Sequence, residues 1–205
     1  MNEIWIESDL GKVYGKTAGS GPLVLGLHGW SQRNGWHTWE PLMEPLAEAG
    51  FRVVSVDLPG WGQSPAPAAG KLTMEKAVEV VVGLLDALEA ERATLMGKSW
   101  GGGVALQVAL KYPRRVEKLI LTAPAFRDFR HLPAVDAPVL LAWARDDTVI
   151  PVRFAREYVE RVPDIRLALY EHGGHSAAQK NVEAFAPKAI EFLRPLGGKV
   201  DRETN

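Results

Sequence analysis

Apolar and polar residues form two kinds of repeating block along this chain. Short runs of apolar, often β-branched residues, such as those at 52–56 and 139–144, predict buried strands. Longer segments with apolar residues three and four positions apart, such as 74–90, predict amphipathic helices. The predicted strands are 3–7, 12–17, 23–27, 52–56, 93–96, 116–122, 139–144 and 165–170, and the predicted helices are 39–49, 74–90, 100–111, 152–162 and 182–193.

The order of these blocks predicts the fold class. Strands rich in Val, Ile and Leu that alternate with helices indicate an α/β protein with a mostly parallel central sheet of about eight strands and helices on both faces. In such sheets ligands bind beyond the carboxyl ends of the strands. The length of 205 residues suits one domain, which we predict to span 1–196, followed by a polar and frayed tail at 197–205.

Composition narrows the class of function. The net charge is −1 with no basic face, which argues against nucleic acid as a partner. The absence of cysteine excludes disulfides, thiolate metal sites and a cysteine nucleophile. The N-terminus lacks the pattern of a signal peptide, and the longest apolar stretch, 77–88, is interrupted by Glu79 and Asp86 and too short to span a membrane. We expect a cytoplasmic protein that does not bind membranes.

The most informative local sequence is GKSWG at 97–101, between a predicted strand and a predicted helix. A G-x-S-x-G sequence in this position is typical of a nucleophile elbow, a tight turn that raises the serine above the sheet. The flanking Gly97 and Gly101 give the turn the space it needs. Backbone N–H groups at the start of the following helix can bind an oxyanion. The alternative is a structural turn that happens to contain Ser99.

Other polar residues follow the predicted strands and are expected at the same edge of the sheet. They are His28 after the third strand, Asp57 after the fourth, Ser99 after the fifth, Asp146 and Asp147 after the seventh, and His172 and His175 after the eighth. A serine, an acid and a histidine together suit acyl transfer, because serine needs a base to accept its proton and the base needs an acid to orient it.

Five sequence motifs together resemble one family. They are LHGW at 27–30, DLPGWGQS at 57–64, GKSWGG at 97–102, ARDDTVIP at 144–151 and GGH at 173–175. In this order they resemble the α/β-hydrolase fold over residues 23–193. Only 123–136 separates the sixth strand from the seventh, where many members insert a helical cap. The chain therefore resembles a small, nearly cap-less member of the serine hydrolase and esterase branch.

The resemblance implies a role for individual residues. Ser99 resembles the nucleophile, Asp147 the acid, because it precedes Pro151 by four positions, and His175 the base, because it follows a glycine. The backbone N–H groups of Trp30 and Trp100 resemble the oxyanion hole.

Several neighbouring residues compete for these roles or depart from the family pattern. Asp146 is the rival acid and Asp128 a more distant one, whereas His172 is expected at the rim. Lys98 stands where the family more often has His, Asp or Gln, and we expect it to point away from Ser99. His28 and the turn at 57–64 are expected to support the backbone of the site.

Tryptophan is frequent near the predicted site. Trp30, Trp61 and Trp100 are predicted to form an apolar surface that binds substrate, with ordinary packing under the loops as the alternative. Trp36 lies near the same loops, whereas Trp39 and Trp143 fit the core.

These observations predict a serine hydrolase that cleaves short-chain carboxylic esters of small molecules through an acyl-enzyme. No phosphate loop, dinucleotide motif or histidine pair at metal spacing occurs, so no cofactor is expected. Thioester hydrolysis, amide hydrolysis and perhydrolysis can use the same residues. A non-catalytic ligand-binding or partner-binding protein on this fold is the alternative from another class.

Overall fold

A computed structural model describes residues 1–8, 11–67 and 70–194. Its single sheet has the strand order β1-β2-β4-β3-β5-β6-β7-β8, antiparallel between β1, β2 and β4 and parallel from β4 to β8. The predicted fold class is therefore confirmed. The strands are β1 (Asn2–Ser8), β2 (Gly11–Ala18), β3 (Leu23–Leu27), β4 (Arg52–Val56), β5 (Ala93–Lys98), β6 (Val116–Thr122), β7 (Val139–Ala144) and β8 (Ile165–Tyr170).

The helices cover both faces of the sheet and bury its apolar side chains. They are α1 (Glu40–Glu48), α2 (Met74–Ala87), α3 (Trp100–Lys111), α4 (Ala155–Arg161), α5 (Ala177–Lys180) and α6 (Val182–Leu193). Helices α2, α3 and α4 pack on one face, in the cluster that contains Leu95 and Leu121. Helices α1, α5 and α6 pack on the other, with Met96 and Ile120. Neighbouring residues of one strand thus enter opposite layers, as the pleat requires.

Helix boundaries follow local capping and turn chemistry. The side chain of Thr73 caps α2 by accepting a hydrogen bond from Lys76 N at 3.3 Å. The helix ends at Ala87, three residues before the predicted end, and Glu89 then turns the chain with a φ of 57°. The predicted helix at 152–162 begins as a 3-10 turn and becomes α-helical only at Ala155.

The connection between β6 and β7 is short. Its helical part is a 3-10 turn, Phe129–Ala134. The Tyr158 hydroxyl on α4 holds this connection from below, 3.0 Å from the carbonyl oxygen of Pro124 and 2.9 Å from that of Phe126. The region above the carboxyl ends of the strands therefore has no helical lid from these described residues.

Two further expectations concern the chain ends and membranes. The polar tail predicted at 197–205 lies outside the described residues. Among the residues that the structure describes, no helix has the length and apolar character needed to cross a membrane.

Candidate active site

Ser99 occupies a strained turn between β5 and α3. Its φ of 53° and ψ of −118° lie in a region that side-chain-bearing residues rarely adopt, and such strain persists only where surrounding contacts impose it. Here the Ser99 N–H donates to Thr122 O at 2.9 Å. The Ser99 carbonyl accepts hydrogen bonds from Gly103 N at 3.1 Å and Ala125 N at 2.7 Å. The backbone around the serine is thus fixed from β6 and from α3.

Close packing explains the two glycines that flank the serine. A Cβ atom on Gly97 would lie 2.6 Å from Gly102 Cα, and one on Gly101 would lie 2.5 Å from Leu27 O. Carbon atoms do not approach backbone atoms this closely, so only glycine fits at either position. The G-x-S-x-G pattern therefore follows from the contact between the start of α3 and the ends of β3 and β5.

The loop after β3 lies beside the serine. A Cβ atom on Gly29 would be 3.4 Å from Ser99 Cβ, so the Gly29–Trp30 backbone passes close to the side chain. The N–H of Trp100 is the first of α3 and has no acceptor within the helix. Neither this N–H nor that of Trp30 has an acceptor among the described residues. Two unpaired donors are thus available for a developing negative charge.

His28 supports this loop from inside the protein. Its side chain is completely buried, with Nδ1 2.7 Å from Gly29 O and Nε2 accepting a hydrogen bond from Leu58 N at 3.0 Å. Burial lowers the pKa of His28 to about 4, so the ring is neutral at pH 7 and donates through Nδ1. This geometry confirms the structural role expected for His28.

Asp57 and the turn after β4 form the second support. The Asp57 carboxylate accepts hydrogen bonds from Trp36 N at 2.7 Å and Gln63 N at 2.9 Å. Ser64 Oγ donates to Asp57 O at 2.5 Å and accepts from Tyr14 N at 2.9 Å. The scaffolding role expected for the turn at 57–64 is confirmed, and its partners lie on β2 and the loop before α1.

The opposite side of the site carries an acid and a base. Asp147 Oδ2 lies 2.9 Å from His175 Nδ1, and Asp147 Oδ1 accepts hydrogen bonds from Val149 N at 2.8 Å and Ile150 N at 2.9 Å. The Asp147 side chain is fully buried. His175 Nε2 is also buried and has no hydrogen-bond partner within the described chain. The ring is oriented from one side and free on the other.

The competing acids do not contact His175. Asp146 Oδ1 accepts from the backbone N–H of Gly174 at 2.7 Å, and its other oxygen lies 3.4 Å from His172 Nδ1. Asp128 pairs with Arg130 at 3.2 Å and with His131 at 2.9 Å on the surface. His172 is exposed at the rim, as expected. Of the three candidate acids, the structure brings only Asp147 to the ring of His175.

Lys98 is a half-buried cation next to the nucleophile position. It ends β5 on the same face as Met96, toward the layer of α1, α5 and α6. Burial and the charge of Lys180 lower the pKa of Lys98, and the negative charge of Asp147 opposes this shift. Within the part of the chain that the structure describes, Lys98 forms no hydrogen bond or ion pair with Ser99 or any acid.

Three indole rings form a cluster that includes Trp30 of the loop after β3. Ring centroids are 5.0 Å apart for Trp30 and Trp61, 4.9 Å for Trp30 and Trp100, and 5.8 Å for the stacked pair Trp61 and Trp100. Trp61 is buried and donates from Nε1 to Trp30 O at 3.1 Å, whereas Trp30 is 48% exposed. Trp61 is thus mainly a support and Trp30 presents the free apolar surface.

The remaining tryptophans lie elsewhere. Trp39 and Trp143 are fully buried, which confirms their assignment to the core. Trp36 packs against the apolar layer of α1 and α6, away from the three clustered indoles.

An open groove adjoins the exposed indole of Trp30. Its volume is about 540 Å³, within the range of small-molecule sites. Its walls are mostly apolar and include the rigid rings of Pro59 and Pro67, with Leu72 beneath them. Lys71 is the single charged side chain among the described residues that line it.

Comparison with known proteins identifies the family. A family model described as alpha/beta hydrolase fold matches residues 22–136, more than half of the chain. The chain belongs to the α/β-hydrolase fold family. The match covers β3 to the connection after β6, and therefore includes Ser99 and the loop after β3 that contains Trp30.

Curated relatives of this α/β-hydrolase are named as hydrolases. The chain is 26% identical to the 2-hydroxy-6-oxononadienedioate/2-hydroxy-6-oxononatrienedioate hydrolase of Burkholderia vietnamiensis, over 86% of this chain and 88% of the relative. It is 37% identical to the 2-hydroxymuconate semialdehyde hydrolase of a Pseudomonas species, over 58% of this chain and 42% of the relative. The first alignment extends over 254 residues, more than the 205 of this α/β-hydrolase, so the relative contains residues without a counterpart here.

Solved structures share the fold over nearly their whole length. A CIB-like hydrolase from Thermoplasma acidophilum superposes with a TM-score of 0.86 at 25% identity, covering 94% of this chain and 97% of that one. An esterase from Exiguobacterium antarcticum superposes with a TM-score of 0.83 at 22% identity, covering 93% and 99%. The latter similarity concerns the fold alone.

The structure also reveals what sequence reasoning missed in this α/β-hydrolase. Asp146 was considered only as a rival acid, yet it binds the backbone of the loop that carries His175. The burial of Trp61 also could not be read from the sequence. Among the described residues, no group of three or more His, Asp or Glu side chains could hold a metal ion.

Proposed function

We propose that this protein is a serine hydrolase that cleaves carboxylic esters of small molecules through an acyl-enzyme. The proposal rests on the Ser99 turn and on the Asp147–His175 pair, which follow the parallel strands β5, β7 and β8 at one edge of the sheet. The serine lies on a strained turn beside two unpaired N–H groups, and Asp147 orients a histidine whose other nitrogen is free. Acyl transfer needs a nucleophile, an oriented base and an oxyanion site, and these residues supply all three.

The first step is the attack of Ser99 Oγ on the ester carbonyl carbon. His175 Nε2 accepts the hydroxyl proton as the new C–O bond forms, and the carbonyl π electrons move onto oxygen. Asp147 accepts the Nδ1–H hydrogen bond, which keeps the proton off Nε2 in the resting ring and stabilises the imidazolium afterwards. The backbone N–H groups of Val149 and Ile150 donate hydrogen bonds to the other oxygen of this carboxylate and fix its orientation.

The oxyanion then needs stabilisation in a site protected from water. The free N–H groups of Trp30 and Trp100 are the proposed donors, and each such donor contributes roughly 10²- to 10³-fold in turnover in comparable sites. When the intermediate collapses, the C–O bond to the alcohol breaks and His175 returns its proton to the leaving oxygen. Water attacks the acyl-enzyme by the same steps and releases the acid.

The substrate is proposed to be an ester that joins a short acyl chain to an apolar alcohol. Trp30 and Trp100 are the proposed substrate-binding residues, the buried Trp61 supports them from behind rather than binding substrate as expected, and the groove beside Trp30 offers a rigid apolar wall. Because only a 3-10 turn lies between β6 and β7, a long acyl chain would remain largely in water.

The test is labelling with a fluorophosphonate probe together with hydrolysis of p-nitrophenyl acetate. We expect the probe to modify Ser99, and Ser99→Ala to lose labelling and roughly 10³- to 10⁶-fold in turnover. Ser20→Ala, an exposed serine in the turn before β3, is the matched control and should behave as the wild type. Labelling that persists in Ser99→Ala would exclude this nucleophile. Wild-type protein that is neither labelled nor active would favour a non-catalytic binding protein.

The relatives favour a second candidate reaction with the same residues. Several are named as hydrolases of 2-hydroxy-6-oxo dienoic or dienedioic acids. Such a compound has a ketone and no ester, so its hydrolysis must break a carbon–carbon bond. Assaying the loss of a 2-hydroxy-6-oxo-6-phenylhexa-2,4-dienoate chromophore beside p-nitrophenyl acetate separates the two reactions. Thioesters, amides and peroxide as acyl acceptor belong in the same panel.

A further inference from the structure

Asp146 makes contacts that a surface carboxylate does not ordinarily make. Its Oδ1 accepts a hydrogen bond from Gly174 N at 2.7 Å, and its Oδ2 lies 3.4 Å from Gly173 N and from His172 Nδ1. Asp146 lies in the turn that follows β7, and the donors belong to the loop between β8 and α5. Asp146 therefore connects two segments through main-chain N–H groups.

The loop that it holds carries His175 and contains two glycines in the left-handed region. The φ angles are 138° at Gly173 and 55° at Gly174. Two consecutive residues of this kind have great conformational freedom, so the position of the next residue depends on contacts that restrict them. Asn181 Nδ2 fixes the start of the loop by donating to His172 O at 2.8 Å. Between that point and His175, the acceptor that the described residues outside the loop offer to its backbone N–H groups is the Asp146 carboxylate.

We propose that Asp146 is a positioning residue, which fixes the backbone under His175 while Asp147 fixes the imidazole ring. The two aspartates are adjacent in the segment after β7, yet Asp146 binds the loop backbone and Asp147 binds the ring, so one segment holds both. The inference rests on the proposed function, because positioning matters only if His175 acts on Ser99. It assigns a role to the first aspartate of the pair that neither acid catalysis nor surface charge explains.

The expected effect is on turnover rather than on substrate binding. A displacement of about 1 Å between reacting groups can cost about 10²-fold in rate. We expect Asp146→Ala to lower kcat about 10- to 100-fold with KM changed less than about twofold. Asp146→Asn keeps an acceptor oxygen for Gly174 N and should lose less than about tenfold.

The two variants separate positioning from a charge effect. If the Asp146 charge acted on His175 directly, Asn and Ala would lower kcat equally, which would overturn the proposal. Unchanged kcat in Asp146→Ala would overturn it as well. Glu171→Ala is the matched control, because it removes a carboxylate from the same rim. This carboxylate pairs with Arg145 at 2.9 Å and binds no backbone N–H among the described residues. Its kcat should stay within about twofold of the wild type.

A second readout does not depend on ester hydrolysis. Hydrogen exchange measured by NMR reports the protection of the Gly173 and Gly174 amides in wild type, Asp146→Asn and Asp146→Ala. We expect exchange of Gly174 to rise at least about tenfold in Asp146→Ala and less in Asp146→Asn, with the Nδ1–H signal of His175 weakened in parallel. Equal protection in all three proteins would overturn the proposal. If Gly174 is protected more strongly in the wild type than in Asp146→Ala but the wild type has no esterase activity, the proposed function fails and the positioning contact stands.

Discussion

The two sides of the candidate active site are built differently. On the aromatic side, in the loops after β3 and β4 and at the start of α3, the groups proposed to face the substrate are backbone N–H donors and one exposed indole, held by the buried side chains of His28 and Asp57. On the polar side, after β7 and β8, the groups are side chains themselves, Asp147 and His175. Ser99 lies between the two sides. Substitutions of the polar-side groups should therefore reduce turnover, whereas those of the aromatic-side supports and of Trp30 should reduce stability or substrate binding.

Among the substitutions that compare the two sides, the largest effect is expected at Asp147. Replacing it with asparagine keeps the size of the side chain but removes the charge and permits the wrong tautomer of His175. We expect turnover of p-nitrophenyl acetate to fall roughly 10⁴-fold. Asp128→Asn, at the surface carboxylate that pairs with Arg130, is the control and should be nearly normal. A large loss in Asp128→Asn with a small one in Asp147→Asn would reverse the assignment.

On the aromatic side, the strongest expected effect is on stability. Burial lowers the pKa of His28 to about 4 from its ordinary value of 6.5, so between these values the unfolded state binds the proton more readily. The stability that comes from burying the neutral ring is therefore fully present above pH 6.5. As the pH falls toward 4, the free energy of unfolding decreases by about 3 kcal/mol. Urea unfolding of wild type and His28→Asn at pH 7 and pH 4 measures the difference.

The pH response should distinguish His28 from other histidines. His28→Asn should be less stable at pH 7 but lose less stability on acidification than the wild type. His131→Asn, at an exposed histidine, should retain the wild-type response. An unchanged acid response in His28→Asn would mean that the buried ring does not titrate in this way.

A smaller effect is expected from the exposed indole. Trp30→Leu retains the backbone N–H but removes the exposed aromatic ring beside the groove. We expect kcat/KM for phenyl acetate to fall about tenfold, mainly through KM, because about 1.4 kcal/mol of binding is lost. Trp5→Leu alters a tryptophan that is similarly exposed, at 43%, on β1 and should leave kcat/KM unchanged. A loss confined to kcat would place Trp30 among the groups that act on the transition state.

The smallest expected effect is the change in kcat/KM for each methylene added to the acyl chain. Full burial of a methylene contributes about 0.8 kcal/mol, roughly fourfold in binding, and an uncapped site should recover less. In a series of p-nitrophenyl esters we expect kcat/KM to peak at about two to six acyl carbons, without a rise in rate at the micellar limit. A steady increase in kcat/KM up to long acyl chains would reveal an acyl tunnel, and the aromatic side would then extend beyond Trp30.

Most of the secondary structure could be predicted because burial leaves a local trace. A strand between two helical layers, such as β7, is continuously apolar, and a helix on one face, such as α2, repeats with its own period. The elbow could be predicted for a related reason, since backbone contact at Gly97 and Gly101 permits no other residue. The early end of α2 at Ala87 was missed because apolar spacing continues to Leu88 while the backbone turns at Glu89.

The division of work between Asp146 and Asp147 shows where sequence reasoning stops. Both residues are acidic, adjacent and located after the same strand, and their spacing to Pro151 distinguishes them only through the family resemblance. Asp146 binds Gly174 and Asp147 binds His175, and in each pair the partner lies 28 residues further along the chain. Which aspartate side chain faces which partner depends on how β8 and the loop after it pack beside β7.

The sequence by itself determined the elements, their order, the α/β class and the set of polar residues at the strand ends, because each of these depends on neighbours within a few positions. The tertiary structure alone decided which acid meets His175, that Trp61 is buried while Trp30 is exposed, and that His28 and Asp57 hold backbone groups about twenty to thirty residues away. These contacts join segments that meet only when the sheet assembles, and no local pattern of apolar and polar residues records the direction in which a side chain then points.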